Sequence, residues 1–496
     1  MNEQTKKEFI YACRELFSAQ SLASLRSYGR SVGVVSPTSR KKGELIEEII
    51  GILCEEIPAQ APNGRGAPVL DDRPDVKLLE DVERLIAKYK TGEDSTDRVP
   101  NLSFSQIMAS LKTQPNTTFV LNNSGDYEIN EDGSPRLFRG QLATQNGVSF
   151  LLPLDYAVDG EKLLIAVEFI RSYNLKEGDI ITCYAKRTEQ VAVVVKIEEI
   201  NGVSPDFFKR NSNFETAGVC YPVGKIKVYD SVKAPSLTQK YMDWIVPLGR
   251  GARGLLVAPP KTGKTVFLEN VAVGAEGLNE DVNVFVLLID QSPETVMQFR
   301  KVLPSDCLVC STYEDEPERQ VFVAESILKR AKRLAECGKD VLLIVDSLNA
   351  LAHAYNETEE SAGGKVLPCG LESKTVHYIK KFLGSARCLE LGGSLTIMSA
   401  VNCATGNSAD DVIATELSAI CNLEIRLKED FASRRIFPAV GADSVYVKYA
   451  DGDGRGEPET LFLLRKMDAG QYANEELLFA LNRSNSQEEF YKFLKK

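Results

Sequence analysis

Lys264 and Thr265, a lysine and a threonine in tandem, close the run Gly254-Leu-Leu-Val-Ala-Pro-Pro-Lys-Thr-Gly-Lys-Thr265. The ammonium suits the β and γ phosphates of a nucleotide as a point charge, and the hydroxyl is a hard oxygen ligand for Mg²⁺. Their setting matters as much as their identity. The apolar residues before the loop read as a buried strand and those after it as a helix. Backbone N–H groups from Lys261 to Thr265 would then converge on an anion at a helix N-terminus. The general pattern G-x-x-x-x-G-K-[ST] asks for glycine where Ala258 stands, one residue short of a full match. A second apolar run, DVLLIVDS, ends in Asp346, a carboxylate able to accept magnesium-bound water. A strand-ending aspartate can equally cap the next helix, and a GK[ST] triplet on an arbitrary loop means little. The order strand, loop, helix and then strand-terminal aspartate points to ATP with Mg²⁺.

Holding such a loop takes a parallel sheet. After Trp244 the runs GLLVAP, VNVFVLLID, CLVCST, DVLLIVD and SLTIMSAV alternate with helical stretches such as RQVFVAESILKRAKRLAECG. Strands apolar on both faces belong to a sheet covered by helices, so residues 231–496 are expected to form an α/β domain. Residues 117–230 hold short β-rich runs (TTFVL, VSFLLPL, KLLIAV, DIITCYAK, VAVVVKI, KIKVYD) broken by NNSGD, EDGSP and KEGD, the pattern of a small barrel or sandwich. Residues 57–116 have linker composition around one helix, and residues 1–56 read as a small helical module.

The whole chain bounds the possibilities. Its 496 residues call for two or three domains, and 43% hydrophobic with 26% charged residues is ordinary globular composition. No apolar run approaches the roughly 20 residues needed to cross a bilayer, and MNEQTKKEFIYACREL has no signal-peptide core, so no membrane partner and a cytoplasmic location are expected. Net charge is −11, so a polynucleotide would have to be met by local basic patches. Eleven cysteines without a framework pattern point to reduced thiols. Cys307 and Cys310 form the one close CxxC. With no second pair and no neighbouring histidine, they read as part of a buried strand ahead of a metal or redox pair.

Taken together, these motifs resemble the bacterial transcription termination factor Rho family across most of the chain. VPLGRGARGLLVAPPKTGKT looks like that family's strand and phosphate loop, and VLLIVDSLNALAHAYN, GGKVL, KKFLGSARCLELGGSLTI and SRRIFPAV follow in its order and spacing. SRKKGELIEEI is similar to its helical N-terminal module. GVSFLL and FIRSYNLKEGD are similar to its RNA-binding OB-fold. The resemblance implies an α/β RecA-like P-loop core preceded by a helical module and an OB-fold-like β-barrel. It implies a homo-hexamer that threads single-stranded RNA through its ring by ATP hydrolysis and acts on RNA polymerase transcription complexes. Gly249, Arg250, Gly251, Ala252, Arg253 and Gly254, and Lys261, Thr262, Gly263, Lys264, Thr265 and Val266, correspond to the family's ATP-contacting segments. Phe437 corresponds to its adenine-packing aromatic, and Lys365 with Val366 to a channel loop that faces RNA. A rotary-type ATPase subunit shares the core but gives GGKVL and the helical start no role.

The departures from the family fall on chemistry. Where it has glutamate and then arginine after an aspartate, this chain has Asp290 followed by Gln291 and Ser292, the last grouped with the ATP-binding positions. A glutamate can take a proton from the attacking water, whereas a glutamine only orients that water. Glu294 lies three residues beyond Gln291. Lys448 stands at the arginine-finger position, expected to act from a neighbouring subunit, keeping charge but losing the planar fork, with Arg455 the nearest arginine. Ala350, Pro368, Cys369 and Ser408 replace further family residues. An aromatic pair in the barrel becomes Gly147-Val148-Ser149-Phe150, leaving Phe150 as the expected RNA-stacking platform. Two readings follow: an RNA-dependent ATPase and helicase with slowed hydrolysis, or a nucleotide-gated RNA-binding ring or regulator without useful hydrolysis.

Overall fold

The computed structural model describes residues 40–54, 136–358, 366–448 and 471–494, apart from 146, 155, 157–162, 188–191, 223, 232–235 and 442–443, with residue 82 and scattered positions between 10 and 34 before them. Nearly all of the linker 57–116, the run TTFVL, Lys365 and Arg455 lie outside the described residues. The chain divides into two compact units, residues 1–101 and 102–496. None of the described helices is long and apolar enough to cross a membrane.

In the first unit, helix α1 (Lys42–Leu53) buries Leu45, Ile46, Ile49, Ile50 and Leu53 along one face, as its helical spacing requires. That stripe packs with Cys13, Phe17, Leu25 and Tyr28 into a core of its own.

The second unit opens with a barrel. Strands β1 (Leu137–Gln145), β2 (Val148–Leu152), β3 (Leu163–Leu164), β4 (Ile180–Arg187) and β5 (Ala192–Ile200), with helix α2 (Val167–Ser172) between β3 and β4, close in the order β1-β2-β3-β5-β4. Alternation decides what faces inward: on β4, Ile181, Cys183 and Ala185 are buried while Thr182, Tyr184 and Lys186 are partly exposed.

The α/β layers follow, as β6 (Val219–Cys220), β7 (Lys225–Ile226), α3 (Leu237–Trp244), β8 (Leu248–Gly249), β9 (Arg253–Ala258), α4 (Lys264–Leu278), β10 (Val282–Gln291), α5 (Pro293–Val302), β11 (Leu308–Thr312), α6 (Pro317–Glu336) and β12 (Asp340–Asp346). Next come α7 (Leu348–Thr358), α8 (Ser373–Gly384), β13 (Arg387–Leu389), β14 (Ser394–Asn402), α9 (Ser408–Ser418), β15 (Leu423–Arg426), α10 (Glu429–Ser433), β16 (Val445–Val447), α11 (Gln471–Arg483) and α12 (Gln487–Leu494). The main sheet runs β11-β10-β12-β14-β9-β15-β16, parallel except for β16 at its edge. Strand β13 pairs antiparallel with the start of β14, and β6 pairs with β13. Val219 and Cys220 therefore join the α/β sheet, although composition groups them with the barrel segment 117–230. Their pairing partner lies far along the chain, which no local pattern reports.

Barrel and α/β layers share one hydrophobic cluster. Their seam is also ionic: Arg210, nearly buried, reaches the buried carboxylates of Asp179 and Glu336, each at 2.7 Å. Removing one partner of such a buried arrangement leaves uncompensated charge, which costs about 3–5 kcal/mol.

Candidate nucleotide site

Strand β9 ends at Ala258 because Pro259 and Pro260 cannot continue a ladder. Beyond them the Thr262 hydroxyl donates to the Pro259 carbonyl at 2.7 Å and closes the loop. Lys261 and Gly263 take left-handed conformations, with φ of 63° and 85°. Gly263 is the N-cap of α4 and no side chain caps that helix, which leaves the first-turn N–H groups directed at an incoming anion.

The side chains named from the sequence meet here. Asp346, at the end of β12, is fully buried, and Lys264 Nζ lies 2.8 Å from one carboxylate oxygen. The Thr265 hydroxyl donates to the other oxygen at 2.7 Å. The helix-capping alternative for Asp346 falls away, because Ser347 Oγ accepts from the Ala350 N–H at 3.4 Å in the first turn of α7. A hydroxyl and a carboxylate are hard oxygen donors. Among the described residues no group of three or more His, Cys, Asp or Glu could hold a metal by itself. The set therefore fits magnesium as an ion completed by phosphate and water oxygens, the usual arrangement for Mg²⁺.

The tip of β10 sits beside this pair, since Leu288 is in register with Asp346. A register shift between Leu288 and Gln291, with Asp290 at φ 56°, turns the strand end. The Gln291 amide then makes long contacts to the carbonyls of Ile289 at 3.4 Å and Asp346 at 3.5 Å. Asp290, grouped with Gln291 among the expected catalytic residues, is exposed at the bulge. Ser292, expected at the nucleotide, uses its hydroxyl to cap α5 by accepting from the Thr295 N–H at 3.2 Å. Glu294 is exposed in the first turn of that helix.

Phe437 is half exposed and its ring lies over Gly263: a Cβ on that glycine would come within 3.2 Å of Phe437 Cε1. Phe437, Gly263, Val266, Phe267 and Pro438 line a cavity of about 160 Å³ beside the phosphate loop, an apolar slot suited to a nucleobase.

Two expectations are corrected. Gly249, Arg250, Gly251, Ala252, Arg253 and Gly254 do not face the loop, because they precede or open β9, and Gly254 lies roughly 13 Å of strand away from its end. There Arg250 pairs with Asp281 at 2.7 Å and with Asp340, at the starts of β10 and β12. Lys448 belongs to the same far edge, following Val447, which is in register with Leu423, itself in register with Gly254. Lys448, expected to act from a neighbouring subunit, thus stands at the opposite edge of its own sheet from Lys264. Phe150 is 4% exposed and sits in the barrel core opposite Ala143 and Leu164, so it is no stacking platform. Partly exposed aromatics of the barrel are elsewhere: Lys196 Nζ stands 5.6 Å over the Tyr184 ring and the Arg136 guanidinium 5.2 Å over that of Phe138. The in-out alternation of DIITCYAK is the signal for Tyr184.

Val366 is exposed at a tight turn closed by the Leu367 N–H donating to the Leu371 carbonyl at 2.8 Å. Ser408 opens α9 behind an Asn407 cap. Sequence reasoning missed Asp410. Its carboxylate accepts from Asn349 Nδ2 and Thr405 Oγ1, both at 2.7 Å, and lies 3.2 Å from His353 Nε2, so it ties α7 to the loop before α9. Burial pushes this carboxyl up, but the bonds from Asn349, Thr405 and His353 outweigh burial and hold it below the usual carboxylate range.

At the far edge, Arg253, Arg387 and Lys448 line a cavity of about 500 Å³ together with Asn422, Cys220 and Tyr221. Burial lowers the Arg253 guanidinium, and although Cys421 opposes this, the nearby Arg387 charge adds to it.

Residues 139–206 match the Rho termination factor, RNA-binding domain, and residues 238–445 match the ATP synthase alpha/beta family, nucleotide-binding domain. The chain is 38% identical over 301 residues to the transcription termination factor Rho of Neisseria gonorrhoeae, covering 60% of this chain and 71% of that protein. It is 34% identical over 363 residues to the protein of the same name from Pseudomonas aeruginosa, covering 71% and 86%. To that of Bacillus subtilis it is 36% identical over 303 residues, covering 60% and 70%.

Proposed function

The chain belongs to the transcription termination factor Rho family, and from that membership we propose that it is a ring-forming, ATP-driven translocase on single-stranded RNA that acts on transcription complexes. It is a nucleotide-hydrolysing enzyme by family and fold, with an RNA-binding domain ahead of the motor. The observation that carries the reading is the buried Asp346 held between Lys264 and Thr265 at the mouth of an uncapped helix. In the working cycle Lys264 exchanges Asp346 for the β and γ phosphates. Thr265 and Asp346 are the residues that would hold magnesium, which would supply positive charge against the charge that builds on the phosphates. Phe437 holds the base against Gly263, and the loop containing Lys365 and Val366 meets RNA.

Hydrolysis is slowed in this reading. Gln291 reaches the water-facing end of β10 but can only orient a nucleophile, not take its proton. Lys448, with Arg253 and Arg387 around it, supplies cations to the phosphates of an adjacent copy, a role supported by its place at the opposite edge of its own sheet. The test is phosphate release by the full chain with and without pyrimidine-rich RNA. The reading expects RNA-stimulated release that disappears in Lys264→Ala; no stimulation above that control overturns it.

Gln291 also favours a second reading, a nucleotide-gated RNA-binding ring without useful turnover. There, wild type binds ATP and RNA yet releases no phosphate, and Gln291→Glu combined with Lys448→Arg restores release. A fully active wild type sinks it.

A further inference from the structure

Strands β6 and β13 are short and antiparallel, and they place Cys220 directly opposite Cys388, with Val219 opposite Leu389. Directly opposite residues hold their Cβ atoms about 4.5–5.5 Å apart on one face of a sheet, against roughly 3.5–4.5 Å across a disulfide. About an ångström of approach closes the difference. Strand β6 can supply it, since it joins the sheet only through β13. The other cysteines within strands face different neighbours: Cys183 is opposite Phe138 and Ile197, and Cys310 is opposite Leu288.

The two thiols are unequal. Cys220 is exposed and lines the 500 Å³ cavity, where Arg253, Arg387 and Lys448 would draw in an anionic reagent and no carboxylate stands among the described lining residues. Cys388 is half-buried, its thiol pushed up by burial first and then by the neighbouring Cys220. Gly251, at φ 85°, lies against it so closely that a Cβ there would meet the Cys388 nitrogen at 2.5 Å.

We propose that Cys220 and Cys388 are a reversible dithiol pair, oxidised to an intrachain disulfide by a small anionic disulfide that enters this cavity. Cys220 attacks first, losing its proton to solvent, forming a mixed disulfide and expelling one thiolate of the reagent. Cys388 then loses its proton to solvent and attacks Cys220 Sγ, forming the Cys220–Cys388 bond and expelling the second thiolate. The protein gives up two electrons and the reagent becomes two thiols. The bond fixes the β6 wall of the cavity lined by Lys448.

The experiment treats the full chain with oxidised glutathione, then counts thiols after denaturation and maps linked peptides by mass spectrometry. Wild type is expected to lose two of its eleven thiols, yield a linked Cys220–Cys388 peptide and regain both thiols with dithiothreitol. Cys388→Ser is expected to stop at one glutathione adduct on Cys220, and Cys220→Ser to leave Cys388 free. A wild type that stops at single adducts, a linkage mapped to any other pair, or a Cys388→Ser variant that still loses two thiols overturns the proposal. None of these readouts depends on ATP turnover.

Discussion

At the C-terminal edge of the parallel strands, Lys264, Thr265 and Asp346 satisfy one another at 2.7–2.8 Å. At the N-terminal edge of the same sheet, Arg253, Arg387 and Lys448 line a cavity whose wall, among the described residues, holds no carboxylate. The first edge sets a cation, an anion and a hydroxyl against one another. The second gathers cations, so among the described residues its wall is complementary to an anion. Residues that resemblance assigns to one nucleotide site are split between edges separated by the length of β9. Both edges can serve one reaction only if they come from different copies.

Breaking the first edge has the largest expected effect. Lys264→Ala removes the charge that meets the phosphates, and ATP turnover should fall on the order of 10³-fold, near the upper range for losing a positioned electrostatic stabiliser. Lys448→Ala should lower kcat about 10²-fold with little loss of nucleotide affinity, since the cation from the adjacent copy acts chiefly on charge that builds in the transition state. Mixing the two variants sharpens the comparison. Mixed rings contain interfaces where an intact Lys264 faces an intact Lys448, so mixed protein should recover turnover that neither variant shows alone. Turnover that stays at the level of the separate variants rules out action between copies.

How much of this was readable depends on the range of the interaction. The phosphate loop is contiguous, so strand, prolines, glycine and lysine announce it within a dozen residues, and Asp346 follows from the apolar run before it. The barrel is legible from period-two alternation for the same local reason. The end of β9 to which Arg250 and Arg253 belong is not legible from a motif, because GRGARG and PPKTGK are neighbours in sequence but occupy opposite ends of one strand. Phe150 shows the limit of carrying an aromatic over by position. Near-complete burial, not residue type, decides whether a ring can stack on RNA. Arg210 reaches carboxylates 31 and 126 residues away, and Asp410 bonds Asn349 61 residues away, separations no pattern reports.

Smaller effects test the nucleobase slot against the far edge. Phe437→Ala should weaken ATP binding about tenfold, a loss of about 1.4 kcal/mol within the usual range for base stacking on an aromatic. Arg250→Met should leave ATP affinity unchanged and lower stability by about 1 kcal/mol, because its pairs with Asp281 and Asp340 are partly exposed and solvent screens them. Titration with a fluorescent ATP analogue and a urea melt measure the two. A loss of affinity in Arg250→Met would return that residue to the nucleotide.

The smallest effect concerns Asp410, which links the helix after Asp346 to the loop before α9. Its folded carboxyl lies below the ordinary value, so the folded state favours the ionised form. The stability it contributes is therefore present above the unfolded value, about pH 4, and is lost as pH falls through the folded value. The urea midpoint of wild type should drop as pH is lowered through that window, and Asp410→Asn should flatten the drop while lying below wild type at neutral pH. Asparagine keeps an acceptor for Asn349 and Thr405 but cannot carry the charge that strengthens those bonds. Equal pH slopes in the two proteins would show that Asp410 is not the group whose protonation loosens this corner of the C-terminal edge. The contrast between the edges would then rest on Lys264, Thr265 and Asp346 alone.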